Sequence, residues 1–517
     1  MSDQSDMAKT TSKTILWSWL AAAVVALVAG CNFAPKYKVP PLDTPQAYKE
    51  TNGWKTAEPA DAALKGNWWE MFNDPQLNAL EEKVAVSNQT VVAALENFLA
   101  AREVAKQARS ELFPTVTADP SYTRTHPSSN GGSSLSSGSV SNGSASSGSS
   151  SIPLTRTYSA YSLPLDASWE PDLWGSIRNT VRASAYSAQS TAAQLANMIL
   201  TVQAELAVDF YELRAQDELI DLYTRTIKDY QDSLDLTKTL FETGIDSDLD
   251  VAQADALLQT TLAQATALGI ARAQYEHAIA LLMGQSASTF SLKPAPLAYK
   301  PPVIPLGVPA QLMERRPDIA AAERTVAENN ASIGVARAAY YPAINLTGGT
   351  GFQSSTLSQL LKSSSFYWAL GAEASETIFD AGKRKAVTQQ AWADYRSSAA
   401  TYRETVLVAF QQVEDNLAAL RILSMQIGQQ GVAIRASQKN LDLAVERYRL
   451  GINSYLNVIT AQESLLANQQ TAVSIHMQEM TASVQLIMAL GGGWNTNDLP
   501  STKRVLHSNA TNAPAAQ

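Results

Sequence analysis

The segment around Phe241-Glu-Thr-Gly244-Ile aligns with Tyr448-Arg-Leu-Gly451-Ile at a displacement of 207 residues, and that register holds for roughly a hundred residues. Any fold for this chain therefore has to accommodate two versions of one unit. In the same register Ile227 falls on Ile434, Leu234 on Leu441, Leu249 on Leu456 and Val251 on Val458. Downstream Ile279 meets Leu486 and Gly284 meets Gly491; upstream Arg214 meets Arg421, Gly175 meets Gly382 and Tyr161 meets Trp368. Phe113-Pro114 pairs with Tyr341-Pro342 at a displacement of 228, so about 21 additional residues lie in the first copy, and the Ser/Gly run Ser128–Ser151 accounts for them.

Each copy reads as the same series of elements. Pro75–Leu112 and Pro309–Tyr340 read as helices stopped by Pro114 and Pro342. Strand-like runs follow at about Thr115–Arg124, Thr157–Asp166, Ala343–Phe352 and Phe366–Ser375, each near the ~9–11 residues of a tilted barrel strand. Tyr161, Leu163, Leu165, Ala167 and Trp169 alternate with Tyr158, Ala160, Ser162, Asp166 and Ser168, and Phe366, Trp368, Leu370, Ala372 and Ala374 keep the same phase in the second copy. That pattern fits strands with lipid outside and water inside, and equally an ordinary half-buried sheet. Tyr161, Phe366 and Trp368 are candidates for an aromatic girdle.

Proline-free stretches at about Ser176–Phe241 and Lys383–Leu450 predict rods of about 100 Å. Tyr223, Ile227, Tyr230, Leu234, Thr237 and Phe241 recur at spacings of four and three, as do Ile434, Ser437, Leu441, Ala444 and Tyr448, which is a coiled-coil seam. Gly244 and Gly451 end the rods as C-terminal caps, and return helices run from about Ser247 to Met283 and Ser454 to Leu490. The first helix of each copy can stack end to end on the shorter return helix.

The 517 residues carry a net charge of −9, which disfavours a nucleic-acid partner. Four scattered histidines and one cysteine give no metal-ligand spacing and no internal disulfide. No phosphate loop, nucleophile elbow or histidine-centred triad supports catalysis. At the N-terminus Lys9 and Lys13 precede the apolar run Ile15–Ala29, the layout of a secretory signal and short of the ~20 residues of a spanning helix. Val28-Ala29-Gly30-Cys31 resembles the lipobox of bacterial lipoproteins, which implies cleavage before Cys31, its acylation and, with Asn32 following, export to the outer membrane. Two or more acyl chains anchor stably where one binds only marginally.

Four strands cannot close a barrel, and open edges in lipid leave backbone groups unsatisfied, so closure must come from neighbouring chains. Three copies give twelve strands with pseudo-sixfold symmetry and an open lumen. Here the chain resembles the outer membrane factor (TolC-like) family of tripartite efflux and secretion systems, on its NodT-type lipoprotein branch. The resemblance rests on the Cys31 lipobox, Glu314-Arg315-Arg316-Pro317-Asp318-Ile319, Ala339-Tyr340-Tyr341-Pro342, Ile378-Phe379-Asp380-Ala381-Gly382 and Ala489-Leu490-Gly491-Gly492-Gly493-Trp494. It implies a homotrimer with an outer membrane β-barrel continued by a long periplasmic α-helical barrel. It also implies docking onto a periplasmic adaptor and an inner membrane transporter, passive export of small molecules, and no cofactor beyond covalent lipid on Cys31. The competing picture is a structural coiled-coil outer membrane lipoprotein without channel activity.

The expected organisation is a signal peptide over 1–30, a lipidated tether over 31–68, a first repeat over 69–284, a linker over 285–308, a second repeat over 309–493 and a tail over 494–517. The resemblance places the aperture just beyond the tip glycines Gly244 and Gly451. Asp250 is the acidic candidate; its counterpart is Asn457, with Thr460 three residues later, where relatives often carry aspartate. Leu456 and Tyr455 are candidates for an apolar plug. Asp246, Asp248 and Asp250 also suit plain helix-start chemistry. A calcium loop is excluded because Val251 replaces the turn glycine and Leu257 the closing glutamate. Arg315-Arg316-Pro317-Asp318 reads chiefly as a helix start.

Overall fold

The computed structural model describes residues 32–42, 45, 47–50, 66–126, 157–297, 301–302, 304 and 312–507. The signal segment, Cys31 and the Ser128–Ser151 run lie outside these described residues. The elements are α1 (Pro75–Ser87), α2 (Gln89–Ser110), β1 (Thr115–Ala118), β2 (Ser121–Thr125), β3 (Tyr158–Trp169), α3 (Ser176–Glu242), α4 (Asp248–Leu282), α5 (Leu312–Arg315), α6 (Pro317–Ala338), β4 (Ala343–Ser354), β5 (Phe366–Ser375), α7 (Lys383–Arg449), α8 (Tyr455–Ala489) and α9 (Thr502–His507). They fall into two compact units, one comprising 1–35, 106–182 and 330–392, the other 36–105, 183–329 and 393–517.

In the helical unit the rods dominate. α3 and α7 have 67 residues each, and α4 and α8 have 35 each. The second of each pair starts and ends 207 residues after the first. α3 contains neither proline nor glycine, so nothing in its sequence interrupts the backbone ladder over about 100 Å. Phe210, Leu206, Leu213 and Ile279 from α3 and α4 are buried in one cluster with Val406, Val413, Leu417, Leu486 and Ile487 from α7 and α8, and with Trp68, Phe72 and Leu77. Each fully buried apolar side chain of this size contributes about 1.5–3 kcal/mol against exposure.

The helices preceding the strands break where the sequence predicted continuity. α1 and α2 are separated at Asn88, and α5 and α6 at Arg316, instead of forming the single helices Pro75–Leu112 and Pro309–Tyr340. At each break a side chain reaches the end of the return helix. Asn88 Oδ1 accepts from the Thr90 and Val91 amides at 2.8 and 3.1 Å, capping α2, while its Nδ2 donates to Leu282 O at 2.9 Å at the end of α4. Arg316 lies 228 residues later; its Nη1 donates to Ala489 O at 3.1 Å at the end of α8, and Pro317 opens α6. A side chain at each interruption thus satisfies orphan carbonyls of the return helix, which joins α4 to α2 and α8 to α6 end to end. The approach is close, since a Cβ on Gly284 would lie 2.4 Å from Ser87 O and one on Gly491 2.1 Å from Arg315 O.

The sheet unit is an antiparallel meander in the order β1/β2, β3, β4, β5. The first predicted strand is split at Asp119-Pro120, where proline cannot donate to the ladder, yet both pieces pair with β3 in one register: Ala118 faces Leu165 and Ser121 faces Ser162. β4 joins the two halves of the sequence, with Leu165 facing Thr350. Leu163, Leu165, Phe366, Trp368 and Leu370 are exposed on the apolar face, and Tyr122 packs on Tyr161 with ring centroids 4.7 Å apart. β1/β2 and β5 are the two edges.

The described parts of the tether and of the linker are both docked. Phe33 stacks on Tyr341 at 4.5 Å, and Asn179 donates to Asn32 at 3.0 Å. In the helical unit Tyr37 hydrogen-bonds Glu323, while Glu414 accepts from the Lys49 and Glu50 amides and Arg421 binds Glu50 at 2.7 Å. The described part of the tether is thus laid along folded structure. The described part of the linker is held in the same fashion: buried Arg214 donates to Lys293 O at 2.9 Å and Arg272 to Leu292 O at 2.7 Å, with Asp217 between the two guanidinium groups. Beyond Trp494, α9 buries Val505 against Ala105 and Ala188.

Candidate functional site

The two helical hairpins reverse within five residues each, and their backbones are alike. Gly244 has φ +75° and Gly451 φ +68°, a conformation that glycine adopts without steric cost. The Ile245 amide donates to Leu240 O at 2.9 Å and the Ile452 amide to Arg447 O at 2.9 Å, which closes each long helix with a six-to-one capping bond.

Beyond the glycines the side chains differ. In the first hairpin Ser247 Oγ donates to Asp250 Oδ2 at 2.6 Å and accepts from the Asp250 amide at 3.3 Å. Ser247 is thus the cap of α4, and the Asp250 carboxylate braces it and is half-buried. Helix-start chemistry accounts for this carboxylate locally, and its second oxygen has no role in that cap. Ser454 in the second hairpin makes no side-chain cap. Leu456, Asn457 and Thr460 are exposed on the first turns of α8, Thr460 Oγ1 donating to Leu456 O at 2.9 Å.

Tyr455 differs from its expected place in an apolar plug. Its ring is only 2 % exposed, packed with Tyr230, Leu234, Ala254, Leu258, Ala444, Tyr448, Val458 and Ala461 from all four rods. The heptad seam points that stripe inward, and Tyr455 completes it. Of the plug pair, only Leu456 remains at the surface.

A polar line runs beside this cluster and joins the hairpins. The Tyr448 hydroxyl donates to the Asp246 carboxylate and lies 3.2 Å from Thr237 Oγ1. Gln462 Nε2 donates to Ser233 Oγ at 3.0 Å, and Gln470 Nε2 to the Tyr223 hydroxyl at 2.6 Å. Burial, then the bond to Asp246, pushes the Tyr448 phenol well above its ordinary range. Burial raises Tyr455 to about 12, with Asp246 and Asp250 adding to the rise. Both phenols are thus neutral donors at physiological pH. The sequence places Tyr448 on the seam but gives no sign of its reach to Asp246, because the two are 202 residues apart.

Paired rods with glycine-capped tips, carried in one chain with a sheet that has an apolar face and two edges, define the class of membrane exit channels. The comparisons give the family. The model for outer membrane efflux proteins matches residues 80–285 and again 308–492, so the chain belongs to the outer membrane efflux protein family. It is 31 % identical over 480 residues to the probable efflux pump outer membrane protein TtgC of Pseudomonas putida, covering 92 % of this chain and 96 % of that one. It is 30 % identical over 485 residues to the cation efflux system protein CusC of Escherichia coli, covering 92 % and 98 %. Among solved structures, the outer-membrane channel OprN superposes with a TM-score of 0.80 at 28 % identity, over 90 % of this chain and all of that one. The chain is an outer membrane channel component of an efflux system, and not an enzyme or a coiled-coil stalk without a channel.

Proposed function

We propose that three copies associate into one passive duct, in which each chain supplies four staves to a twelve-stranded outer membrane barrel and two rod pairs to a periplasmic α-helical barrel. The observation that carries this is the sheet: its apolar side chains are exposed and both of its edges are unpaired among the described residues. In lipid each unpaired backbone group costs several kcal/mol, so a stable sheet must close on further copies. Twelve strands leave an aqueous lumen, which a four-stranded sheet cannot enclose. The twofold repeat within each chain makes the trimer pseudo-sixfold.

Cys31 carries the lipid anchor, and the duct receives small molecules from an inner membrane transporter through a periplasmic adaptor. Its aperture lies at the hairpin tips. Three Asp250 carboxylates make a cation-favouring ring, with Leu456, Asn457 and Thr460 beside it. Tyr455 acts from behind as the packed support of that turn, and the Tyr448–Asp246 bond holds the hairpins together at rest. Opening is a local untwisting of the tips. Purified protein in a planar bilayer is expected to conduct in discrete steps; a protein incorporated in the bilayer without such steps refutes the duct.

A further inference from the structure

Within the sheet unit, one interface between repeat halves is complete and its counterpart is vacant. The two hairpins of the sheet share a register: Thr115 faces Ser168 in the first, and Ala343 faces Ser375 in the second. Those partners are displaced by 228 and 207 residues, the same two displacements that relate Phe113-Pro114 to Tyr341-Pro342 and Tyr161 to Trp368. The hairpins are therefore equivalent strand by strand. Between them, β3 pairs with β4 so that Asp166 faces Gly349 and Tyr161 faces Ser354. β5 is the counterpart of β3, and β1/β2 that of β4, yet among the described residues β5 has no neighbour beyond it and β1/β2 none on the other side.

The strand ends repeat the asymmetry. Where β3 leads into α3, Trp174 stacks on Tyr341 at 5.0 Å, and its Nε1 donates to Pro342 O at 2.7 Å. Where β5 leads into α7, the corresponding loop leaves Ile378 93 % and Phe379 85 % exposed. Trp174 itself falls on Ala381, so the aromatic has shifted within the loop. The counterpart of Tyr341 is Phe113, which is 60 % exposed. One apolar loop and one aromatic corner thus lie uncovered at opposite edges of the sheet.

We infer that a second copy of this chain pairs its β1/β2 edge with β5 in a single register, Glu373 opposite Ser121, Ala372 opposite Tyr122 and Trp368 opposite His126, while Phe113-Pro114 covers Ile378 and Phe379. The inference rests on the trimeric reading and adds its register. Transferring the β3–β4 pairing through the two displacements fixes it: Asp166 becomes Glu373 and Gly349 becomes Ser121. Apolar residues of β5 then stay on the face that carries Tyr122. Leu370 falls opposite Arg124, whose aliphatic stem can lie along the leucine while the guanidinium reaches out. A slip of one residue would turn every β2 side chain to the wrong face.

Cysteine pairs test the register on the full-length chain in membranes. Glu373→Cys with Ser121→Cys is expected to give covalent dimers and trimers on oxidation, because opposed residues bring Cβ atoms to about 4.5–5.5 Å, near disulfide reach. Either substitution alone should give none. Glu373→Cys with Thr123→Cys is shifted by two residues, at about 7–8 Å, and should cross-link far less. Efficient linkage of the shifted pair overturns the register, as does failure of the predicted pair in a preparation that an amine-reactive cross-linker still traps as trimer. If that reagent traps no oligomer, the trimeric reading falls as well. Phe379→Ser should lower the trimer fraction that survives mild detergent by about tenfold, and an unchanged fraction overturns the proposed cover.

Discussion

The first hairpin tip and the second are built on one backbone and carry opposite charge. Both have a glycine at positive φ and the same capping bonds. After the first glycine come Asp248 and Asp250 in the opening turn of α4, whereas α8 has no acid there and α7 instead ends in Arg447 and Arg449. Each choice is favourable to the helix dipole, acid at an N-terminus in one hairpin and base at a C-terminus in the other. Backbone geometry at a tip is thus set by the glycine and the seam, while the charge presented beyond it is free to diverge between the copies. The tips also differ in support, for the second supplies the contacting ring pair Tyr448 and Tyr455, whose centroids are 5.2 Å apart, and the first only Tyr230.

If the second tip is the structural one, removing its support should have the largest effect. Tyr455→Ala empties a site shared by all four rods and is expected to cost about 3–5 kcal/mol of local stability, read as faster amide exchange in both tips. Protection lost in the second hairpin alone would break the proposed coupling. Tyr448→Phe deletes a bond to a charged partner, a loss of about 1.5–3 kcal/mol. It should raise the open fraction in single-channel recordings, and an unaltered fraction would remove the bond from the resting state. Asp250→Ala keeps the amide that Ser247 caps and deletes only the carboxylate's bond from the Ser247 hydroxyl; it should cost about 1 kcal/mol and reduce cation preference. Unchanged selectivity would leave Asp250 a brace for the Ser247 cap alone.

The smallest effect at neutral pH sharpens the comparison elsewhere. Tyr455 titrates near 12 in the folded chain against an ordinary value of 10. A raised folded value means that its contribution is fully present below about pH 10 and is lost as pH rises toward 12, because the unfolded phenol ionises first. Protection of the second tip should therefore fall over that window. Tyr455→Phe should remove this group's part of the pH dependence, and an identical alkaline profile in the variant would assign the loss to other groups.

Rod lengths and tip glycines were legible because long stretches without proline, set between repeated glycines, leave few alternatives. The split at Asn88 is not legible in the sequence, although Ser87-Asn88 offers capping chemistry, since no proline or glycine marks it. Arg316 reads locally as part of a helix start; its bond to Ala489 O joins residues 173 apart, a relation no local pattern encodes. Tyr455 suggests a plug because it follows the tip glycine, but its spacing of three, four and three to Val458, Gln462 and Leu465 along α8 puts it on that helix's buried stripe. The docking of the tether is illegible for a similar reason: Pro- and Lys-rich composition gives no periodic signal, while Phe33, Tyr37 and Tyr48 each find a site on folded structure.

All of these contrasts presuppose that separate chains seal one lumen, and the mass of the intact assembly tests that most directly. Native mass spectrometry of the full-length protein released from detergent micelles should give three chains per particle, each heavier by its acyl groups. A single chain as the sole species, under conditions that preserve its β signal, would contradict the account.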